Sequence, residues 1–388
     1  MNIATADQEA YDKARQASTQ DLLVHAARAS GLSPLQIQKD AARVAAMPGR
    51  LQLWEYVRLG LFHPDRFAED ERAAFIANEL HWPIVAKIND SGWTSAAEDK
   101  ALSDTLLRAS GVPVPQTLGV IDRVSGRVYP GHRKVTGVDG LREMLAEAGG
   151  ARVFCKIVKG MVSFGAMRID GHDDTHIQLA GQPPVTYGDF LEKIVGQEAY
   201  LCQKEVINHP KIAEYAAALA TVRVVNLVTP NGVRTPRAVI KLAQGDNIAD
   251  AFWRDGNLAC DIDVATGRIQ TVAARGIEMR YLDDHPERAG LMGLVLPHWD
   301  DLLAVNEQAA QVYAPIRYQS TDIAITEAGP VVVELNYGGG FDLPQYASGR
   351  GLLTDDVLGF FASHDVDLAT IAGGAKTKKK KGLFGLGG

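Results

Sequence analysis

The chain has 388 residues, 46% of them hydrophobic, which is material for about two or three domains with real apolar cores. Its formal net charge of −7 argues against nucleic acid as the main partner. Cys155, Cys202 and Cys260 stand far apart, with no CxxC or His-pair spacing, which excludes a disulfide framework and a thiolate zinc site and suits a reducing cytoplasm. The polar opening MNIATADQEAYDKARQ reads as no signal peptide, and no apolar run is long enough for a transmembrane segment.

From the N-terminus, helical spacing runs through Asp21–Ser30, Pro34–Met47 and Leu51–Leu59, punctuated by Gly31 and Pro48-Gly49. Asp65 to Glu79 reads as a further helix. Residues 1–82 therefore form a helical region that caps or packs on the rest. Ile84–Ile88 reads as a short strand, Ala96–Ser110 as an amphipathic helix and Gln116–Ile121 as a strand. Val153–Val158 is a strong β run, followed by a loop of small residues and a strand at Gly165–Ile169. A helix at Tyr187–Val195, a strand at Ala199–Val206 and a polar helix after His209-Pro210 come next. Strands dominate from Val222 to Val272, with a turn at Pro230-Asn231-Gly232, and Trp299–Tyr313 reads as a helix. This mixture predicts an α+β body around antiparallel sheets. The tail is different: Lys376 to Lys381 is basic and Gly382 to Gly388 is small and apolar, a flexible solubilising end or a contact for an acidic partner or anionic membrane surface.

The richest segment is a β-hairpin. Thr321 to Thr326 and Val331 to Asn336 are β-branched runs joined by Glu327-Ala328-Gly329-Pro330. Side chains alternate along a strand, so Glu334 and Asn336 share a face, and Asp322 can meet them across the ladder. Three hard oxygen ligands on a rigid platform suit Mg²⁺ bound together with nucleotide phosphates, although acids and Asn are also common at strand ends. Lys156 leaves its strand beside Lys159 to Gly165, where a lysine and loop N–H groups can close over a phosphate; a solvated turn has the same composition. Neither GxxxxGK[ST] nor GxGxxG is present. Gln203, Lys204, Glu205 and Val206 can offer an adenine an extended backbone edge, or form a charged edge strand. Arg223 lies alone in the apolar run Thr221 to Val225, so it needs an acid or phosphate partner. No GxSxG elbow or catalytic cysteine signature appears.

Taken in order, Asp99-Lys100, Lys156 with its loop, Gln203 to His209-Pro210, Thr221-Val222-Arg223, Asp246-Asn247, Asp261-Ile262-Asp263 with Thr266-Gly267, His285-Pro286, Pro297 with Trp299, and Asp322 through Asn336 to Gln345 resemble the ATP-grasp superfamily. The closer likeness is to its sugar-transfer-associated family, over about residues 50–362. The resemblance implies an ATP-grasp fold, in which two α+β lobes with antiparallel sheets enclose ATP. It divides the chain into residues 1–82, a pre-grasp subdomain 83–150, a nucleotide lobe 151–207, a metal-bearing lobe 208–372 and the tail 373–388. Lys156 is then expected at adenine and the α-phosphate, Gly160, Ser163 and Gly165 in the loop over the phosphates, and Gln203, Lys204, Glu205 and Val206 around adenine and ribose. Lys100 falls near the start of the nucleotide lobe. Asp322, Glu334 and Asn336 would hold Mg²⁺ (a pair of ions, replaceable by Mn²⁺), and Arg223 and Lys156 would be the catalytic cations. Departures accompany it: Ile157 follows the lysine where proline is common, and Ser320-Thr321 stand where an arginine often precedes the first metal acid. The implied activity is ligation of a small-molecule or peptide carboxylate to an amine through an acyl phosphate, possible on a sugar or glycan precursor. A kinase acting on a hydroxyl and a non-catalytic nucleotide-binding module are the alternatives.

Overall fold

A computed structural model describes residues 3–14, 17–161 and 163–371 of the chain. The basic tail lies outside the described residues. The N-terminal helices are α1 (Ile3–Ala14), α2 (Thr19–Ser30), α3 (Pro34–Ala45) and α4 (Leu53–Arg58). Capping boxes start two of them, Ser18 with Asp21 and Ser33 with Gln36, each satisfying otherwise orphaned N–H groups. The stretch expected as one helix over 65–79 holds only α5 (Glu69–Ala73) and a tight turn at Asn78–Leu80.

Ile84–Ile88 is not a strand. It is the end of helix α6 (His81–Ile88), whose buried residues are His81, Ile84, Val85 and Ile88. That spacing of three, one and three is helical, and Pro83 sits in the first turn, where proline is tolerated. The helix expected over 96–110 is two, α7 (Ser91–Glu98) and α8 (Lys100–Ala109). Asp99 between them is extended, and its carboxylate accepts from Leu102 N at 3.0 Å to cap α8. The break places Lys100 at the first position of α8.

The first sheet contains β1 (Thr117–Ile121), β2 (Lys134–Val135), β3 (Val153–Ile157), β4 (Met167–His172), β5 (His176–Leu179), β6 (Val185–Thr186) and β7 (Tyr200–Lys204). Its order is β2-β1-β7-β3-β4-β5-β6, antiparallel except for the β1–β2 pair. Helix α9 (Val138–Glu147) and the segment α10 (Tyr187–Asp189), which continues as a wide turn through Phe190–Val195, bury Leu141, Met144, Phe190 and Leu191 with the sheet's apolar residues. Cys155 and Cys202, remote in sequence, pair across β3 and β7 as free thiols, with Cys155 Sγ donating to Cys202 Sγ at 3.2 Å.

After the short α11 (Pro210–Ala213) comes the second sheet. It is built from β8 (Thr221–Thr229), β9 (Gly232–Leu242), β10 (Leu258–Asp263), β11 (Arg268–Ile269), β12 (Val272–Ala274), β13 (Arg280–Leu282), β14 (Tyr318–Thr326) and β15 (Gly329–Asn336). The order is β13-β12-β10-β9-β8-β14-β15, with β11 on β10, and all pairs are antiparallel. Alternation sorts its side chains. Val222, Val224, Ala238 and Ile240 pack toward α12 (Trp299–Val312) with Leu302, Ala309 and Tyr313. Val239, Ala259 and Ala273 face the other way, onto Leu22, Ile37, Tyr56 and Phe62 of the N-terminal helices. Gly267, in the left-handed region at φ 70°, lies under Trp299, whose ring would sit 2.5 Å from any added Cβ. Helices α13 (Asp342–Ser348) and α14 (Asp355–Ala362) follow; Gln345 in α13 binds both the N–H and C=O of Ile76 and so braces the N-terminal region to this sheet. The protein is thus α+β, with two mainly antiparallel sheets and a helical N-terminal region.

Candidate functional site

A cleft of about 1060 Å³ is lined by residues of both sheets and of the N-terminal helices. On its second-sheet wall, β14 and β15 pair Asp322 with Glu334 and Ser320 with Asn336, so all four share one face. On the other side of β14, Asp322 stands opposite Arg223, and Arg223 stands opposite Val239, one alternation from Lys241. One face of four adjacent strands therefore gathers Arg223, Lys241, Asp322, Glu334 and Asn336.

Asp322 is buried and fully engaged. Arg223 donates from Nε to Oδ1 at 2.8 Å and from Nη2 to Oδ2 at 2.7 Å, and Lys241 Nζ donates to Oδ2 at 3.1 Å. Burial alone would raise its pKa, but the two cations hold the carboxyl well below the usual carboxylate range. Lys241 also reaches Asp250 Oδ1 at 3.4 Å. Burial pushes the Asp250 carboxyl up despite Lys241, and Thr221 steadies it through N–H and O–H donors. Glu334 is bridged by Lys100 at 3.0 Å, and Lys100 also donates to Gly160 O at 2.5 Å. Lys156 Nζ donates to Val333 O at 2.9 Å, which ties β3 of the first sheet to β15 of the second. Burial lowers the Lys156 ammonium to about 8, with Glu334 opposing the fall.

The loop after β3 bends over this region. Ser163 has φ 60° and Gly165 φ 67°, and a Cβ on Gly165 would lie 2.6 Å from Ile157 Cδ1. Helix α1 holds the loop: Asp7 accepts from Gly165 N at 3.0 Å and from Arg254 at 3.0 Å. Tyr11, Phe164 and Trp253 pack edge to face, with centroids 5.4 to 5.8 Å apart.

Among the residues named from sequence, Lys100, Lys156, Gly160, Ser163, Gln203, Lys204, Glu205, Val206, Arg223, Asp322, Glu334 and Asn336 all border the cleft. Gly165 sits behind it, against Asp7. Gln203 and Glu205 also have internal partners: Gln203 donates to Asp104 at 3.2 Å and Thr117 at 3.1 Å, and Glu205 pairs with Arg152 at 2.5 Å. Arg223 pairs with Asp322 although Ser320-Thr321 stand where an arginine was expected. Lys241 and the α1 residues were missed. A lone cation in the apolar run Ala238 to Leu242 is the signal that singled out Arg223, and it would have found Lys241; nothing in α1 points at the cleft. Among the described residues no three His, Cys, Asp or Glu side chains gather as a metal site. No helix among them is long and apolar enough to cross a membrane.

No curated protein matches the chain. Solved structures do. ATP-grasp ligase PsnB, complexed with precursor peptide PsnA2 and AMPPNP, is 16% identical over 71% of this chain and 61% of that one, with TM-score 0.36. The D-alanine-D-alanine ligase from Coxiella burnetii is 12% identical over 72% and 60%, with TM-score 0.37. D-alanyl-alanine synthetase A from Vibrio cholerae is 11% identical over 72% and 68%, with TM-score 0.43. The chain thus spans about three fifths of the first two structures' length. At these scores the resemblances carry no argument about activity. The sequence pattern of the family described as "Sugar-transfer associated ATP-grasp" matches residues 83–357, which hold both sheets and every side chain from Lys100 to Asn336 named above; the chain belongs to that family.

Proposed function

We propose that the protein is an ATP- and Mg²⁺-dependent, ADP-forming ligase that activates a carboxylate as an acyl phosphate and passes it to an amine. The observation that carries this reading is the set of four cations, Lys100 from α8, Lys156 from the first sheet and Arg223 and Lys241 from the second, gathered with the carboxylates of Asp322, Glu334 and Asp250 in one cleft. Such a site neutralises a polyphosphate and the charge that shifts during phosphoryl transfer, which is most of what that chemistry needs.

The residues present fit Mg²⁺. Asp322 and Glu334 supply hard oxygens, and the buried Asn336 amide has no partner for Nδ2 among the described residues, so it can turn to offer Oδ1. A bound metal would be held by Asp322, Glu334 and Asn336 and would supply charge neutralisation for the phosphates. The chain's own groups do the rest. Lys100 and Lys156 hold phosphate oxygens, and Arg223 steadies the transferred group while keeping Asp322 ionised. The 159–165 loop covers the phosphates. Lys204, the backbone at Glu205 and Val206, and Gln203 border the base and ribose. The three buried free thiols suit a cytoplasmic setting.

The test is ATP turnover by purified protein with Mg²⁺, pooled metabolites and peptides, and hydroxylamine. ADP together with a hydroxamate supports the ligase and identifies the acid by mass. ADP with a phosphorylated product and no hydroxamate overturns it in favour of a kinase.

A further inference from the structure

The cleft has a second end, built by elements that contribute nothing to the first sheet. Arg58 closes α4 and is only 9% exposed, and its Nε is buried without a hydrogen-bond partner among the described residues. Its guanidinium carbon lies 5.8 Å from the Trp54 ring centroid, and no carboxylate among the described residues ion-pairs with it. A buried cation without a counter-charge is expensive, so a position that keeps one has a reason to do so.

Arg275, just after β12, lines the same end, with Nη1 donating to Trp253 O at 3.1 Å. Its guanidinium titrates below its ordinary range, chiefly from burial and next from the Arg58 charge. Met279 N donates to Arg58 O at 2.8 Å and keeps the two segments together. Two acids lie near Arg58 and Arg275. Glu55 spends its oxygens on Asn78 N at 2.7 Å and Gln52 N at 2.9 Å, and burial raises it to about 7. Asp342 accepts from its neighbour Leu343 N at 2.9 Å, and its charge partly opposes the fall at Arg275. Trp54, Trp253 and Tyr346 supply apolar walls.

We infer that this end of the cleft is an anion subsite, in which the Arg58 fork, with Arg275 beside it, takes a carboxylate or phosphate group of the substrate other than ATP. Planar guanidinium donors suit either anion. That the anion belongs to the co-substrate rests on the ligase reading; that the subsite binds an anion does not. Arg58 lies outside residues 83–357, so the contact is made by the helical region this chain carries ahead of the family's match.

The test uses full-length protein without nucleotide, titrated with malonate and, separately, with inorganic phosphate at ionic strength held constant with chloride. Tryptophan fluorescence is the readout, because Trp54 flanks Arg58. We expect a saturable change with at least one anion, and the stronger of the two arms identifies the group. The response should persist with ADP bound. Arg58→Gln should weaken it tenfold or more. Arg58→Lys, which keeps the charge and the fold, should weaken it several-fold. A signal that tracks ionic strength alone, no saturable signal in the wild type, or Lys and Gln variants that titrate like the wild type would each overturn the subsite. Arg58-dependent anion binding in a protein that turns over no ATP would instead leave the subsite standing and defeat the ligase.

Discussion

Arg223 and Asp322 face each other across β8 and β14 and join side-on, Nε to Oδ1 at 2.8 Å and Nη2 to Oδ2 at 2.7 Å. Each settles the charge of the other in a buried setting. Arg223→Ala strands Asp322 with Lys241 alone and should cost about 3 kcal/mol, read from urea denaturation midpoints. Asp322 has a depressed folded pKa, so its contribution is present above the unfolded carboxyl range and is lost as pH falls through the folded value. The gap between wild type and Arg223→Ala should therefore be full at pH 7 and shrink only in strong acid.

Glu334→Gln separates chemistry from folding. Lys100 keeps its bond to Gly160 O, and the side chain stays about the same size. The melting temperature should move by no more than a few degrees, while ATP turnover falls by about a hundredfold or more. A variant with near wild-type turnover would remove Glu334 from the machinery.

Lys156 gives a pH signature. Its ammonium is lowered from 10.5 to about 8, so between those values the unfolded chain holds more protons than the folded one, and the stability of the nucleotide-free protein should rise with pH there. Nucleotide affinity should do the opposite, weakening as pH climbs through about 8 because the cation is lost. Calorimetric titration with ADP between pH 7 and 9.5 measures it, and Lys156→Arg, which stays charged, should flatten the curve.

The α1 contacts predict the behaviour of the 159–165 loop. Tyr11→Ala removes one ring from the cluster with Phe164 and Trp253 and loosens the hold of Asp7 on Gly165 N. Amide exchange at Gly165 should speed up about tenfold, while exchange in β8 and β14 stays as in the wild type. Equal rates at Gly165 would mean that α1 does not restrain the loop.

Gly267→Ala is the structural control. The added Cβ would fall 2.5 Å from the Trp299 ring at a φ of 70°. About 2 kcal/mol or more of stability should be lost, by thermal denaturation, with no change at the cleft in the residual folded protein.

The hairpin was legible because it is local. Asp322, Glu334 and Asn336 fall on β-branched runs with a turn between them; period two puts Glu334 and Asn336 on one face, and the hairpin register brings Asp322 to it. Arg223 was legible as a charge out of place in an apolar strand, but its partner was not, since β8 and β14 are brought together by pairing between residues about a hundred positions apart. The strand assigned to Ile84–Ile88 failed for want of context: without His81 the helical period of the buried residues does not show in a five-residue apolar run. Arg58 sits in an ordinary amphipathic stretch, where arginine normally reaches solvent. Its burial comes from tertiary neighbours such as the segment around Met279, which no local pattern announces.

The lysines that bridge the sheets have a thermodynamic consequence. Lys100 is held by Glu334 and Lys156 by the Val333 carbonyl, so a polyphosphate binding at either ammonium would compete with a group of the chain. On the proposed ligase reading, Glu334 would act as an internal competitor for Lys100, one that a divalent cation would draw away. Metal and nucleotide should then bind with positive linkage, each improving the apparent affinity of the other by the same factor, as reciprocity requires. Selectivity for the metal complex over free nucleotide would come from that exchange.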